Sequence, residues 1–420
     1  MPGLPHYFFR ILPTWVWRPS LLWQQQGPLN RTSETADLLL PRLIFVIIAA
    51  GVAAGVSGCS SLRGRESALP PIPNAPYPRS PSINGVIWDV APVVTSRKAH
   101  GSDLWPCTWA RDGNLYCAWG DGGGFDGDDD NIGRVSLGFA RIEGRPAADG
   151  SLRFTGKNVW GSLPYAEYPA TFGGKVTSLI SVGGVLYAVG GFWTQENSTD
   201  PVQRGGGGPL DTLAWSTDLG KSWHIAPWSV SSPFGSYLNF GRDNAGAFDD
   251  YVYLYYVRKG DGRSVYLKRV PKNRLQSDPA VPGIYQYFTG IDSRVRPAWS
   301  GSESEAGVIF FDANNVNAPE VVFDAGLHRY LMTVAHGRDS DSSIQQLGLF
   351  ESRHPWGPWA TIAYYEDWAA YWPSARGEYL GLHVPPNWIS ADGKTLWCIF
   401  SGLKDFDSFN LIKAKLVTER

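Results

Sequence analysis

The chain has 420 residues, a formal net charge of −2 and only 18% charged residues. No basic stripe accompanies that balance, so nucleic acid is excluded as a partner. Its 48 glycines, 31 prolines and 14% aromatic residues favour turns and strands over helices.

Residues 1–41 fit no part of a signal peptide and read as a misassigned start or an n-region. The one continuous apolar run, LIFVIIAAGVAAGVSG (43–58), is too short for a full membrane span. It ends in Val56-Ser57-Gly58-Cys59, which resembles a bacterial lipobox. The resemblance implies a signal peptide over 42–58, lipidation at Cys59 and a place in the cell envelope, at the outer membrane or cell surface. An ordinary membrane anchor is the alternative. Residues 59–84, rich in Pro, Ser and Arg, are expected to form a flexible tether, and 85–420 a single folded domain.

The stretch 100–126, HGSDLWPCTWARDGNLYCAWGDGGGFD, predicts a β-hairpin. Two apolar runs, 106–109 and 115–119, flank the turn pair Asp112-Gly113. Asp103 precedes the first strand and Asp121 follows the second, so the hairpin folds back a separation of 18 residues. Paired carboxylates are what glycosidic-bond hydrolysis needs. Trp105, Trp109 and Trp119 on the same hairpin are candidate faces for sugar rings. Cys107 and Cys117 are expected as cross-strand neighbours, either as a disulfide or as two small buried hydrophobes. Cys398 has no evident partner.

The hairpin pattern recurs. Turns at Asp112-Gly113, Gly183-Gly184, Asp249-Asp250, Ala325-Gly326 and Asp392-Gly393 are spaced 71, 66, 76 and 67 residues apart. Each precedes an apolar strand: LYCAW, VLYAVGG, YVYLYY, RYLMTV and TLWCIFSG. Third strands follow as SLGFARI, DTLAWSTD, SVYLKRV, QQLGLFES and FNLIKAKLV. Such spacing of four-strand units predicts an all-β, five-bladed β-propeller. GVIWDVA (85–91) is expected to close the ring as the outermost strand of the last blade.

In a propeller the first strands line the axis, and ligands bind where first strands begin and second strands end. That rule selects Asp103, Asp121 and His100 from blade 1, and Lys175 and Trp193 from blade 2. Blade 3 contributes Tyr237, Asn239 and Arg258; blade 4, Glu320 and His336; blade 5, His383 and Ser401. Asp103 and Asp121 are the expected catalytic pair. His100, Trp105, Lys175, Trp193, Tyr237, Asn239, Arg258, Glu320, His336 and His383 are the expected substrate contacts. The acidic loop with Asp126, Asp128, Asp129 and Asp130 reads as solvated chain or as a calcium site. No His/Cys grouping has zinc spacing, and no cofactor other than calcium is expected.

Ser216-Thr-Asp218-Leu-Gly220-Lys-Ser-Trp223 matches the Asp-box of sialidase-like propellers, which ties a hairpin turn and seats a Trp beneath it. The first hairpin, with FGRDNAGAFDDYVYLYY (240–256), YLKRVPKNRL (266–275) and LFESRHPWGPWATI (349–362), resembles a bacterial domain family long of unknown function. Some members of that family are endo-D-arabinanases. The resemblance covers about residues 95–415 and implies catalytic aspartates at Asp103 and Asp121. It departs at Gly122, where the arabinan-cleaving members carry threonine and then an aromatic residue. The first blade is also similar in general look to ulvan lyases, which work through His and Tyr. The leading expectation is a surface-anchored glycoside hydrolase, monomeric, acting on a polysaccharide or oligosaccharide. The alternatives are a polysaccharide lyase using His336 or His383 with a Tyr, and a non-catalytic glycan-binding lipoprotein.

Overall fold

The computed structural model describes residues 72–91, 98–127, 132–147, 150–193, 210–230, 235–294, 296–337, 346–368, 379–402 and 407–418. Cys59, the apolar run before it, and Asp128, Asp129 and Asp130 lie outside the described residues. Among the described residues no helix is long and apolar enough to cross a membrane.

The described chain is a five-bladed β-propeller built from five sheets. Its first strand, β1 (Ile83–Asp89), belongs to the last blade. Blade 1 holds β2 (Asp103–Trp109), β3 (Leu115–Gly120), β4 (Leu137–Glu143), β5 (Thr155–Gly161) and the short β6 (Tyr168–Pro169). Blade 2 holds β7 (Gly173–Val182), β8 (Val185–Trp193), β9 (Leu210–Ser216) and β10 (His224–Ile225). Blade 3 is the largest: β11 (Gly235–Tyr237), β12 (Tyr251–Val257), β13 (Ser264–Pro271), β14 (Gln286–Ile291), β15 (Pro297–Ser300) and β16 (Val308–Phe311). Blade 4 holds β17 (Asn317–Asp324), β18 (Arg329–His336), β19 (Gln346–Ser352) and β20 (Ala360–Tyr365). Blade 5 holds β21 (Tyr379–His383), β22 (Thr395–Gly402) and β23 (Asn410–Thr418), with β1 paired antiparallel on β23.

Each blade is covered on both faces, so its middle strands run apolar without alternation. Every residue of β3 is buried, and β12 buries Val252 through Tyr256. Five apolar clusters fill the five gaps between neighbouring blades. Phe139 and Trp160 meet Leu186 and Phe192 between blades 1 and 2. Tyr187 and Val189 meet Tyr256 and Tyr266 between blades 2 and 3. Tyr253 and Phe310 meet Met332 and Phe350 between blades 3 and 4. Leu331 and Leu349 meet Cys398 and Ile412 between blades 4 and 5. Trp397 and Leu411 meet Trp105 and Trp119 between blades 5 and 1. The fifth gap is packed like the other four, and that packing closes the ring.

Three details differ from the sequence expectation. Packed chain reaches upstream of residue 85: Ile72, Ala75 and Tyr77 pack on the core between blades 3 and 4. Ser80 Oγ donates to Glu351 at 2.8 Å and accepts from the Ile83 amide at 2.8 Å. The turns at Asp249-Asp250 and Asp392-Gly393 are not two-residue hairpins. Each ends a longer connection, 238–250 in blade 3 and 384–394 in blade 5. Gly183-Gly184 does join β7 and β8 directly, both glycines having positive φ.

The Asp-box is structural. Ser216 Oγ donates to Asp218 at 2.7 Å, and the Gly220 amide donates to Ser216 Oγ at 2.8 Å. Trp223 lies beneath the turn, stacked on Phe139 at 3.9 Å between centroids.

Candidate active site

Asp103 is the first residue of β2 and pairs with Gly120, the last of β3. Asp121 is therefore the next residue beyond that pair, at the mouth end of blade 1. Lys175, near the start of the inner strand of blade 2, reaches both carboxylates. Its Nζ lies 2.7 Å from Asp121 Oδ1 and 3.9 Å from Asp103 Oδ1. Arg134 lies 3.6 Å from the other oxygen of Asp121. The structure thus brings together three of the residues selected from sequence.

The two carboxylates have different surroundings. The Asp103 side chain is only 15% exposed, and Asp121 is 28% exposed with a cation on each oxygen. Enclosure pushes the Asp103 carboxyl up to about 7. Lys175 and Arg134 pull it down, while Asp121 and Asp407 push it further up. A carboxylic acid that keeps its proton to neutral pH beside a cation-clamped carboxylate can both give and accept protons across a small gap.

The backbone here is unusual. Leu104, Trp105 and Asp121 all have positive φ, at 74°, 71° and 49°, a conformation costing roughly 1–2 kcal/mol for each non-glycine residue. The register of β2 on β3 shifts between Leu104 and Cys107. Gly120 fits here because a Cβ there would meet the Asp103 carboxylate and the Lys175 ammonium. The run after Asp121 is closed to side chains as well. A Cβ on Gly122 would strike the Gly101 carbonyl, and one on Gly124 would strike Trp119 and Asn158. This is the physical content of the departure from the arabinanase pattern at Gly122.

Several expected substrate contacts lie elsewhere. Trp105 and Trp119 are fully buried and fill the gap between blades 5 and 1. Trp109 stands at the opposite end of β2, its indole N–H donating to the Gly113 carbonyl at 3.1 Å. The hairpin therefore offers no tryptophan face at the mouth. Tyr237 is 3% exposed in the core between blades 2 and 3. Asn239 is buried at the far end of the inner strands, where it accepts from Thr108 Oγ1 at 3.0 Å. The inner strand of blade 3 ends at Tyr237 rather than starting there, so both were placed at the wrong end. His336 is 1% exposed and stacks on Tyr364 at 3.8 Å between centroids, away from the axis. Arg258 caps the Tyr266 ring at 4.0 Å and donates to the Glu303 carbonyl, so its own blade uses it. His336 and Tyr237, two of the residues a lyase reading draws on, are therefore not brought together.

Trp193 is half-buried, paired with Gly173 at the start of β7, and His100 is exposed in the turn before β2. Glu320 and His383 do meet at the axis. His383 Nδ1 contacts Glu320 Oε2, and Nε2 lies 2.7 Å from the Leu104 carbonyl. Asp126 accepts from the Asn158 amide at 3.2 Å. Among the described residues no group of three potential ligands gathers for a metal ion. Cys107 and Cys117 are directly paired across β2 and β3, buried and free as thiols.

Arg134 and Asp407 were not among the sequence candidates. Arg134 was within reach of the register: β3 pairs Gly120 with Leu137, and the next step sets the Asp121 amide on the Ser136 carbonyl at 3.3 Å. Extending the SLGFARI strand backwards puts residue 134 beside the pair. Asp407 had no such signal, since it belongs to blade 5, far from the first hairpin in the chain.

No family model and no curated protein matches the sequence. Among solved structures, the chain is similar to a presumed hydrolase from Bacteroides ovatus, at 14% identity over 78% of this chain and 90% of that one, with a TM-score of 0.48. It is similar to a GH43_1 enzyme from Xanthomonas citri, at 13% identity over 80% of this chain and 91% of that one, TM-score 0.40. An exo-β-1,3-galactanase from Phanerochaete chrysosporium matches at 12% identity over 75% of this chain and 60% of that one, TM-score 0.39. Likenesses this distant say nothing of activity. The propeller rests on the strand pairing and the five packed gaps.

Proposed function

We propose that this protein is a glycoside hydrolase that cleaves a polysaccharide with Asp103 and Asp121. The observation that carries the reading is the unequal pair itself. Asp103 is enclosed and holds its proton to about pH 7, which suits a general acid for the leaving glycosidic oxygen. Asp121 faces Lys175 and Arg134, which suits a carboxylate acting on the sugar carbon or on water. One ammonium reaches both carboxylates, so their nearer oxygens are no further apart than 2.7 Å and 3.9 Å laid end to end. That bound admits both the roughly 5–5.5 Å separation of retaining enzymes and the lower part of the roughly 6.5–9.5 Å range of inverting ones, so Asp121 serves as nucleophile or as general base. The glycine run beyond Asp121 leaves the mouth without the threonine and aromatic residue of arabinan-cleaving relatives. The substrate is therefore a glycan bound differently at that point. The lipobox-like run before Cys59 supports a lipid-anchored place in the cell envelope, facing the periplasm or the exterior.

The test is turnover of arabinans, uronate polymers and sulfated glycans by the purified protein, with product analysis. New reducing ends with no unsaturated, ultraviolet-absorbing product support the hydrolase. An unsaturated product supports a lyase, and binding without turnover supports a glycan-binding lipoprotein. Loss of lipid labelling in Cys59→Ala supports the anchor, and unchanged labelling sinks it.

A further inference from the structure

Leu104 follows the proposed acid directly, and blade 5 holds it by both backbone polar groups. Its N–H donates to Ser401 Oγ at 3.2 Å, and its carbonyl accepts from His383 Nε2 at 2.7 Å. Leu104 and Trp105 keep left-handed φ values of 74° and 71° in a strand that has slipped register at that point. Side-chain-bearing residues hold such a conformation only when their surroundings over-determine it. A carbonyl can only accept, so His383 Nε2 carries a proton. Glu320 faces the other ring nitrogen with a carboxylate oxygen. An imidazole with an acceptor at each nitrogen is held as the cation.

We propose that His383 and Glu320 form a positioning pair that clamps the Leu104 carbonyl and thereby holds Asp103 against Asp121 and Lys175. Neither residue contacts substrate in this role. The proposal rests on the reading of Asp103 as the acid. Burial works against a charged His383, but the Glu320 charge and hydrogen bond, with the Leu104 carbonyl, outweigh it and its pKa is raised. The groups that face Asp103 itself are Lys175 from blade 2, Asp121 and Arg134 from blade 1, and Asp407 from blade 5. Releasing Leu104 lets the Asp103 carboxyl move from enclosure toward solvent, which lowers its pKa.

The experiment reads Asp103 without needing a substrate. The infrared carboxylic-acid band that is absent in Asp103→Asn is titrated in the full-length protein. The same titration is run in His383→Ala, His383→Gln and Ser401→Ala. The midpoint falls in His383→Ala. His383→Gln sets an amide donor near the Nε2 position and restores the midpoint in part. On a cleaved glycan, kcat/KM of His383→Ala falls on the order of a hundredfold, as for about 1 Å of misplacement, and its high-pH limb moves with the midpoint. If His383→Ala does not fold, His383→Gln and Ser401→Ala carry the test, each with a lowered midpoint. A folded His383→Ala, or a folded Ser401→Ala in its place, with an unchanged midpoint overturns the proposal. Full turnover in Asp103→Asn overturns the acid assignment instead, and the infrared midpoint still tests the clamp.

Discussion

Two enclosed aspartates, Asp103 in blade 1 and Asp324 in blade 4, sit at opposite ends of inner strands and both hold protons unusually well. Burial pushes Asp103 up to about 7 and Asp324 up to about 6. Their partners differ in kind. Asp324 Oδ1 accepts from the amides of Gly326 and Leu327, at 2.9 Å and 3.0 Å, and so ties the β17–β18 turn. Among the described residues Asp103 has no such backbone partner, and it faces a lysine and a second carboxylate instead. A raised pKa alone does not mark a site; groups that face a gap, rather than the local backbone, do. The buried histidines repeat the lesson. His383 lies between a carboxylate and a carbonyl and is raised. His336 lies against Tyr364, and burial pushes it down to about 4.

The sharpest way to break the comparison is to neutralise each aspartate. Asp103→Asn and Asp121→Asn each lower kcat by roughly 10²–10⁴-fold, the range for losing a positioned acid or base, with the melting transition retained. Near-normal turnover in both would remove the distinction between blade 1 and blade 4. Gly120→Ala adds a methyl group against Asp103 and Lys175. It lowers turnover by up to about a hundredfold through misplacement, and steady-state kinetics beside a circular-dichroism spectrum checks it.

The wild-type pH profile comes next. Folded Asp103 keeps its proton up to about pH 7, whereas the unfolded carboxyl releases it near its ordinary value of 3.8. The folded state therefore binds the extra proton between those values, and stability falls as pH rises through that window. Asp324 adds a fall of the same sign that ends near pH 6. His336, pushed down to about 4, imposes a rise of the opposite sign up to its ordinary value. Urea midpoints measured from pH 4 to 8 should therefore decline less between pH 6 and 7 in Asp103→Asn than in the wild type. An unchanged decline in that variant would mean the proton is held elsewhere.

Asp324→Ala leaves the Gly326 and Leu327 amides unpaired and costs about 1–3 kcal/mol of stability. Turnover per folded molecule stays at the wild-type level, measured after correcting for the folded fraction. The smallest effect belongs to His336→Phe. The ring stack on Tyr364 survives, and stability changes by less than about 1.5 kcal/mol. A large loss of turnover there would mean that His336 acts in the reaction after all.

The local strand pattern carried much of the architecture. Fully buried runs such as LYCAWG and VYLYY, at near-equal spacing, mark blades because a strand covered on both faces needs no polar alternation. Closure by β1 was legible from the apolar segment GVIWDVA left over upstream of the first blade, and the first hairpin's register brought Asp103 and Asp121 to one end. Inner strands were harder to place. β11 is three residues long and is followed by an irregular connection, so the blade 3 candidates Tyr237 and Asn239 were read at the wrong end. Nothing local in the sequence tells a mouth tryptophan from one that fills a gap between blades, and Trp105 proves to be the second kind.

The sequence by itself determined the five blades, their middle strands and the juxtaposition of two aspartates across one hairpin, because those depend on pairing between neighbours in the chain. Only the tertiary structure decided which carboxyl is enclosed, that Lys175 bridges the pair, and that His383 and Glu320 grip Leu104. Those contacts join blades 1, 2, 4 and 5 across the axis. They depend on how the ring closes, and ring closure is a long-range packing outcome that no single stretch of sequence encodes.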